Sequence, residues 1–381
     1  MKRAISTILA LMLLVAVVPL FAGGSEETGK DVYRVGVIPK FIAEDYFIAC
    51  ENGFRTAEAE LGNVKVDWVG DTMSQTSAAN QKNYIQSFID REYDAILVSA
   101  LDPESYADTL REAREMGIVV ITWDADVNVS ARDFFINQVD FDEFAITILR
   151  GLADELKDDY SSSNKAPVAL VSTTTDAPNQ NAWIAAMVRD YKNNKDTKYS
   201  HLNVMVDSDQ IVYAGNDQGT ADEKIKSLLI ANPDIAGVVA LSSNTIPAVA
   251  SARDQLGLTR DIAVTGGGVP ETLRGDLEAG RMASVILWQP FDLGYLTLHV
   301  AVDILEGNTP SGDRHKSPLS GTSQAVSAVD GEPMTYAEQG HIIKSDNEMI
   351  LGLPIVWNLR NIDHFRGYPE ADHGMEYFLK K

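Results

Sequence analysis

The chain has 381 residues, 45% of them hydrophobic, with a single cysteine and a formal net charge of −23. One cysteine excludes an internal disulfide, so stability must come from burial, and the length allows two domains with substantial cores. A field of that sign repels phosphate backbones and anionic lipid, which argues against nucleic-acid binding and against a direct membrane-surface role.

Residues 1–24 read as a secretory leader: Lys2 and Arg3, an uninterrupted apolar run over 8–18, then Ala22 and Gly24 ahead of a cleavage point at Ser25. The apolar run is short for a membrane span. No Cys lies beside the cleavage point, so lipid attachment is not expected and the mature chain should be soluble and exported. Removal of residues 1–24 takes away Lys2 and Arg3, leaving roughly 357 residues and 30 basic against 55 acidic side chains.

Strands are expected at 33–38, 64–69, 95–99, 118–122 and 134–136, with helices at 47–61, 78–91 and from Asp102 and Pro103 to Met116. The 118–122 run is β-branched without a polar break, as in a strand buried on both faces. Strand and helix alternate about every thirty residues, the pattern of a doubly wound parallel sheet. A polar, Ser-rich stretch at 157–165 separates this series from a second one. There, strands are expected at 167–172, 202–206, 237–241, 262–265 and 283–288, with helices at 180–191, 220–231, 246–256, 271–279 and 293–305. Residues 309–346 are rich in Gly, Pro and Ser and read as an extended surface segment, after which 349–357 resumes as one strand-like run.

Polar and aromatic residues gather just beyond the strand carboxyl ends, where open α/β sheets bind their ligands. Lys40 follows the first strand, Asp124 and Asp126 the fourth, and Asn179, Gln180 and Trp183 the first of the second series. Ser242 to Asn244 and Gln289 follow later strands. Each taken alone also fits a solvated charge, a cap or a core position; the shared placement selects the binding reading. Carboxylates and amides serve hydroxyl groups in pairs, Lys40 donates, and the faces of Tyr46, Phe47, Trp123 or Trp183 can cover a sugar ring. Catalytic patterns are lacking: there is no HExxH, GxSxG or P-loop, and Gly266 to Gly268 lacks dinucleotide spacing. No cofactor or metal is expected. Asp207 and Asp209 open like a calcium loop, but Val212 and Gln218 stand where its Gly and Glu belong, and Asp363, His364, Asp372 and His373 read as a polar tail.

The chain resembles the periplasmic sugar-binding proteins of ABC importers with the type I, ribose-binding-like fold. Within that family it is most similar to rhamnose-binding proteins and to the receptor for the furanosyl autoinducer. The resemblance runs through VGVIPK at 35–40, ILVSALDP at 96–103, VVITWDAD at 119–126, FINQ at 135–138 and NQNAW at 179–183. It continues in ILWQPFDLGYL at 286–296 and LGLPIVWNLRNIDHF at 351–365. It implies a non-enzymatic receptor that captures a small sugar, a deoxyhexose such as rhamnose, and delivers it to a permease. A chemotaxis sensor is a second candidate partner, and a monomer is expected. The autoinducer receptor's ligand residues fall on Lys40, Asp124, Asn179 with Gln180, Leu241 and Ser243; Asp has become Asn at 179, Pro has become Leu at 241, and Ala has become Ser at 243. These departures favour the sugar over the autoinducer; a nucleoside receptor and an exported sugar-acting α/β enzyme are the other readings. The implied architecture is two doubly wound lobes joined by a three-segment hinge, 31–137 with 290–345 and 138–289 with 346–381, crossing near Gln138, Gln289 and Asp346.

Overall fold

The computed structural model describes residues 32–316, 324–326, 333–335 and 340–365. The expected leader, much of the 309–346 segment, and Asp372 and His373 lie outside the described residues. The first series comprises β1 (Tyr33–Ile38), α1 (Asp45–Leu61), β2 (Val64–Trp68), α2 (Ala78–Asp90), β3 (Ala95–Val98), α3 (Ala107–Glu115), β4 (Val119–Trp123) and β5 (Phe134–Asn137). The second comprises α4 (Phe141–Leu156), β6 (Ala166–Ser172), α5 (Pro178–Asn194), β7 (Leu202–Val204), β8 (Val212–Tyr213), α6 (Gln218–Ala231), β9 (Gly237–Ala240), α7 (Thr245–Leu256), β10 (Ala263–Gly266), α8 (Arg274–Glu278) and β11 (Val285–Leu287). Then come α9 (Pro290–Leu305), β12 (Arg314–His315), β13 (Gln324–Val326), β14 (Pro333–Thr335), β15 (His341–Ile343), β16 (Glu348–Ile350) and β17 (Ile355–Trp357).

Two parallel sheets organise these elements. The first runs β12-β15-β16-β5-β4-β3-β1-β2, parallel from β16 to β2 and antiparallel only at the β12-β15-β16 edge. The second runs β10-β9-β6-β7, all parallel, with β8 also on β6. Antiparallel β11 and β17 join the end of β10 through a bridge from Gly267 to Ile286. The chain therefore passes between sheets three times, after β5, after β11 and after β16. This is an α/β fold of two doubly wound lobes.

Burial on both faces explains the near-continuous apolar strands. Val35, Val37, Leu97 and Ile121 face one core, shared with Phe54 of α1 and Leu293 of α9. Their neighbours Ile38, Ile96, Val98 and Val120 face a second core with Phe88 of α2 and Leu110 of α3. Period-two alternation thus assigns each strand residue to one helix layer or the other.

Helix α9 follows the second crossing yet lies on α1 of the first lobe, and two glycines allow the contact. A Cβ on Gly53 would stand 1.9 Å from the carbonyl oxygen of Phe291, and one on Gly294 would stand 2.1 Å from that of Cys50. The two backbones touch directly at these points, so neither position has space for a side chain.

Two expectations change. The helix expected from Asp102 begins at Ala107, because Asp102 Oδ1 accepts from the amides of Glu104 and Ser105 and closes a separate turn first. The hydroxyl of Tyr106, bonded to Gln81 Oε1 at 2.8 Å, fixes where that turn ends. The apolar run at 349–357 is two strands, not one: Gly352 and Pro354 interrupt it, and β16 pairs with β5 while β17 pairs with β11.

Candidate functional site

A cleft of about 850 Å³ lies at the carboxyl ends of both sheets and is lined from both lobes. On the first lobe's side it is built around Asp124, which β4 delivers at φ 61°, a left-handed conformation that Asp tolerates better than most side chains. The turn aims the carboxylate at three donors. Asp124 Oδ2 accepts from Ser99 Oγ at 2.7 Å and from Lys40 Nζ at 2.9 Å, and Oδ1 accepts from the Tyr46 hydroxyl at 3.0 Å. Each partner comes from a different element: Lys40 follows β1, Ser99 follows β3, and Tyr46 sits in the first turn of α1. Tyr46 in turn accepts from Trp288 Nε1 at 3.0 Å. Burial, then the negative charge of Asp124, hold the Tyr46 phenol well above its usual range, so it stays a donor.

The opposite wall is made by amides and hydroxyls. Pro178 opens α5, its fixed φ suited to a first helical turn, and that turn carries Asn179 and Gln180. Gln180 Oε1 accepts from Ser172 Oγ, the Thr173 amide and Thr173 Oγ1 at 2.6, 2.8 and 3.0 Å, which leaves its Nε2 as the group it can offer. Asn179 Nδ2 donates to the backbone carbonyl of Asp124 at 3.0 Å, a direct bond between the two lobes. Leu241, Ser242, Ser243 and Asn244 line the cleft between β9 and α7, and Ser243 Oγ is fixed by the Val269 amide at 2.9 Å. Phe144, Trp183 and Trp288 form an aromatic floor, with ring centroids 4.6 Å apart for Phe144 and Trp183 and 5.3 Å for Phe144 and Trp288.

Eleven of the residues singled out in the sequence come together here: Lys40, Tyr46, Phe47, Asp124, Asn179, Gln180, Trp183, Leu241, Ser242, Ser243 and Asn244. Asp126, Trp123 and Gln289 do not line the cleft. Asp126 is bound by Arg132 Nε at 2.8 and 3.0 Å, and Arg132 also reaches the Asp346 carbonyl, so this carboxylate ties the loop after β4 to the segment before β16. Trp123 is fully buried among Phe47, Phe54 and Trp68. Gln289 is buried at the start of α9.

The structure also brings in Glu44, Ser99, Phe144 and Trp288. Ser99 and Trp288 close the strands expected at 95–99 and 283–288; the structure ends β3 at Val98 and β11 at Leu287, which puts each just beyond a strand. Glu44 ends the loop before α1, and its carboxyl is pushed up to about 7, by burial first and then by Asp45 and Asp124. Among the described residues no group of three or more His, Cys, Asp and Glu side chains could hold a metal, and no helix is long and apolar enough to cross a membrane.

Residues 35–309 match the periplasmic binding protein domain family. The chain belongs to that family. It is 35% identical over 136 residues to the fructose import binding protein FruE of Bifidobacterium longum, a match spanning 34% of this chain and 38% of that relative. Among solved structures it is similar to LsrB from Clostridium saccharobutylicum in complex with AI-2, with a TM-score of 0.71 and 23% identity over 87% of this chain and 99% of that one. It is equally similar to an ABC transporter solute binding protein from Clostridium phytofermentas with bound L-rhamnose, with a TM-score of 0.70 and 23% identity over 88% and 98% of the two chains.

Proposed function

We propose that this periplasmic binding protein is the exported receptor of an ABC importer. In this reading it captures a small sugar, a deoxyhexose such as rhamnose, between its lobes and delivers it to a permease without chemical change. The observation that carries the reading is the pairing of a buried to half-buried donor and acceptor array with an aromatic floor in one cleft. Asp124, Lys40 and Tyr46 on one side and Asn179 and Gln180 on the other match the alternating hydroxyls of a neutral ring. Trp183, Trp288 and the half-buried Tyr46 offer the apolar surface that its C–H faces need, with the fully buried Phe144 packed against both indoles. Residues 1–24 would supply the export leader. The lobes would be 31–137 with 290–350 and 138–289 with the strand at Ile355–Trp357, placing the last crossing just past its expected position near Asp346.

A furanosyl autoinducer is the second reading, favoured by Lys40, Asp124 and Gln180, which stand in the cleft where that receptor's ligand residues are expected. Asn179 weighs against it. Its amide donates to the Asp124 carbonyl, and the carboxylate that the autoinducer receptor has there would set two acceptors against each other.

The test is a thermal-shift screen of residues 25–381 against pentoses, hexoses, deoxyhexoses, nucleosides and the autoinducer. A ligand that binds only the folded chain raises the melting temperature by mass action. A dominant shift from a deoxyhexose is the expected result; a shift confined to the autoinducer or to nucleosides overturns the sugar assignment, and turnover of the bound sugar overturns the receptor.

A further inference from the structure

We propose that Glu44 contacts the captured solute as an uncharged carboxylic acid, so that capture is linked to proton uptake and weakens as pH rises. The inference rests on the reading of this cleft as the solute site. Its ground is the asymmetry between two neighbouring carboxyl groups. Asp124 has donors on both oxygens, from Ser99, Lys40 and Tyr46. Glu44 has no ion pair with Lys or Arg among the described residues, although it lines the same cleft. Lys40 is the one basic side chain in the described lining, and Asp124 already holds it at 2.9 Å.

The other titratable groups around Glu44 oppose a negative charge there. Asp45 at the start of α1 and Asp124 from the end of β4 both raise its pKa, and Cys50, further along α1, is itself held in the thiol form by burial. Asp102 from the loop after β3 and Asp176 ahead of α5 complete the acidic lining. The amides of Tyr46 and Phe47 at the head of α1 pull the other way, and the balance leaves Glu44 near 7. Burial is the largest cause, and a solute filling the cleft removes the remaining water from the same carboxyl. Association therefore favours the neutral form, whose O–H can donate to a ring or hydroxyl oxygen.

The sign follows directly. With the free group titrating near 7 and the bound group higher, the Kd is constant well below pH 7 and weakens above it, by at most tenfold per pH unit. Titration calorimetry with L-rhamnose from pH 5.5 to 8.5, in buffers of different ionisation enthalpy, reads both the slope and the proton taken up. Wild type is expected to show the slope and Glu44→Gln, which keeps an uncharged donor, a flat profile. A flat wild-type profile, or an equal slope in Glu44→Gln, overturns the proposal. A second arm needs no sugar. A carboxyl raised from 4.5 to about 7 in the folded chain contributes stability that is lost as pH rises between those values. The melting temperature of wild type relative to Glu44→Gln should fall over that window; a constant difference overturns the protonation assignment. Absence of binding by any sugar, with this second arm intact, would instead remove the receptor reading.

Discussion

At the scale of single residues, Asp124 carries two roles that substitution can separate. Its carboxylate is the shared acceptor of Ser99, Tyr46 and Lys40, and its backbone holds a φ of 61°. Asparagine is the informative replacement because it also tolerates that backbone. Asp124→Asn leaves Lys40 without its ionic partner and sets an amide donor against donors, so we expect a stability loss of about 1–3 kcal/mol by thermal or urea unfolding. L-Rhamnose capture, read by calorimetry, should weaken by about 2 kcal/mol or more. A wild-type Kd in that variant would remove Asp124 from the site. Most residues legible in the sequence lie in the segments between a strand and the next helix's first turn, because a parallel sheet fixes where its carboxyl ends emerge. Trp123 and Asp126 flank Asp124 and shared its signal, yet the left-handed turn sends only Asp124 into the cleft. Glu44 carried no such signal: its exposure to the cleft depends on how α1 is set against the sheet, a tertiary contact.

At the scale of elements, that setting is governed by α1 and α9. Gly53 and Gly294 let the two helices touch backbone to backbone, and Glu44 and Tyr46 stand at the head of the same α1. Gly294→Ala must push α9 away from Cys50 of α1, since the added carbon would lie 2.1 Å from a carbonyl oxygen that cannot rotate aside. We expect a loss of about 1–3 kcal/mol, together with weaker sugar binding although Gly294 does not line the cleft. Gly62→Ala is the control. It strains a C-terminal cap at φ 72° at a cost of about 1 kcal/mol with nothing within 4 Å, and binding should be unchanged. Equal binding losses in the two variants would show that instability alone is responsible. Strands of the two sheets were readable as apolar runs because both faces are buried, whereas the division of 349–357 between two sheets was not. Apolar character is the same on either side of Gly352 and Pro354, and only the partner strand distinguishes β16 from β17.

At the scale of the molecule, three crossings join two sheets whose carboxyl ends face a common cleft, and side-chain bonds span it from Trp288 to Tyr46 and from Asn179 to Asp124. Asn179 Nδ2 on α5 donates to the Asp124 carbonyl after β4, so each end belongs to a different lobe. A ligand bound by both lobes stabilises the closed arrangement by its differential affinity alone. A bond between protein groups that spans the cleft shifts the starting population in the same direction. Replacing Asn179 with Ala removes the donor while keeping a residue suited to a helix start, and the lost bond is worth about 1 kcal/mol. That corresponds to a several-fold change in the ratio of closed to open molecules. Small-angle scattering of the ligand-free protein should therefore give a larger radius of gyration for Asn179→Ala than for wild type. Saturation with L-rhamnose should bring the two curves together, at a higher sugar concentration for the variant. Identical ligand-free curves would mean that the Asn179 bond does not hold the lobes.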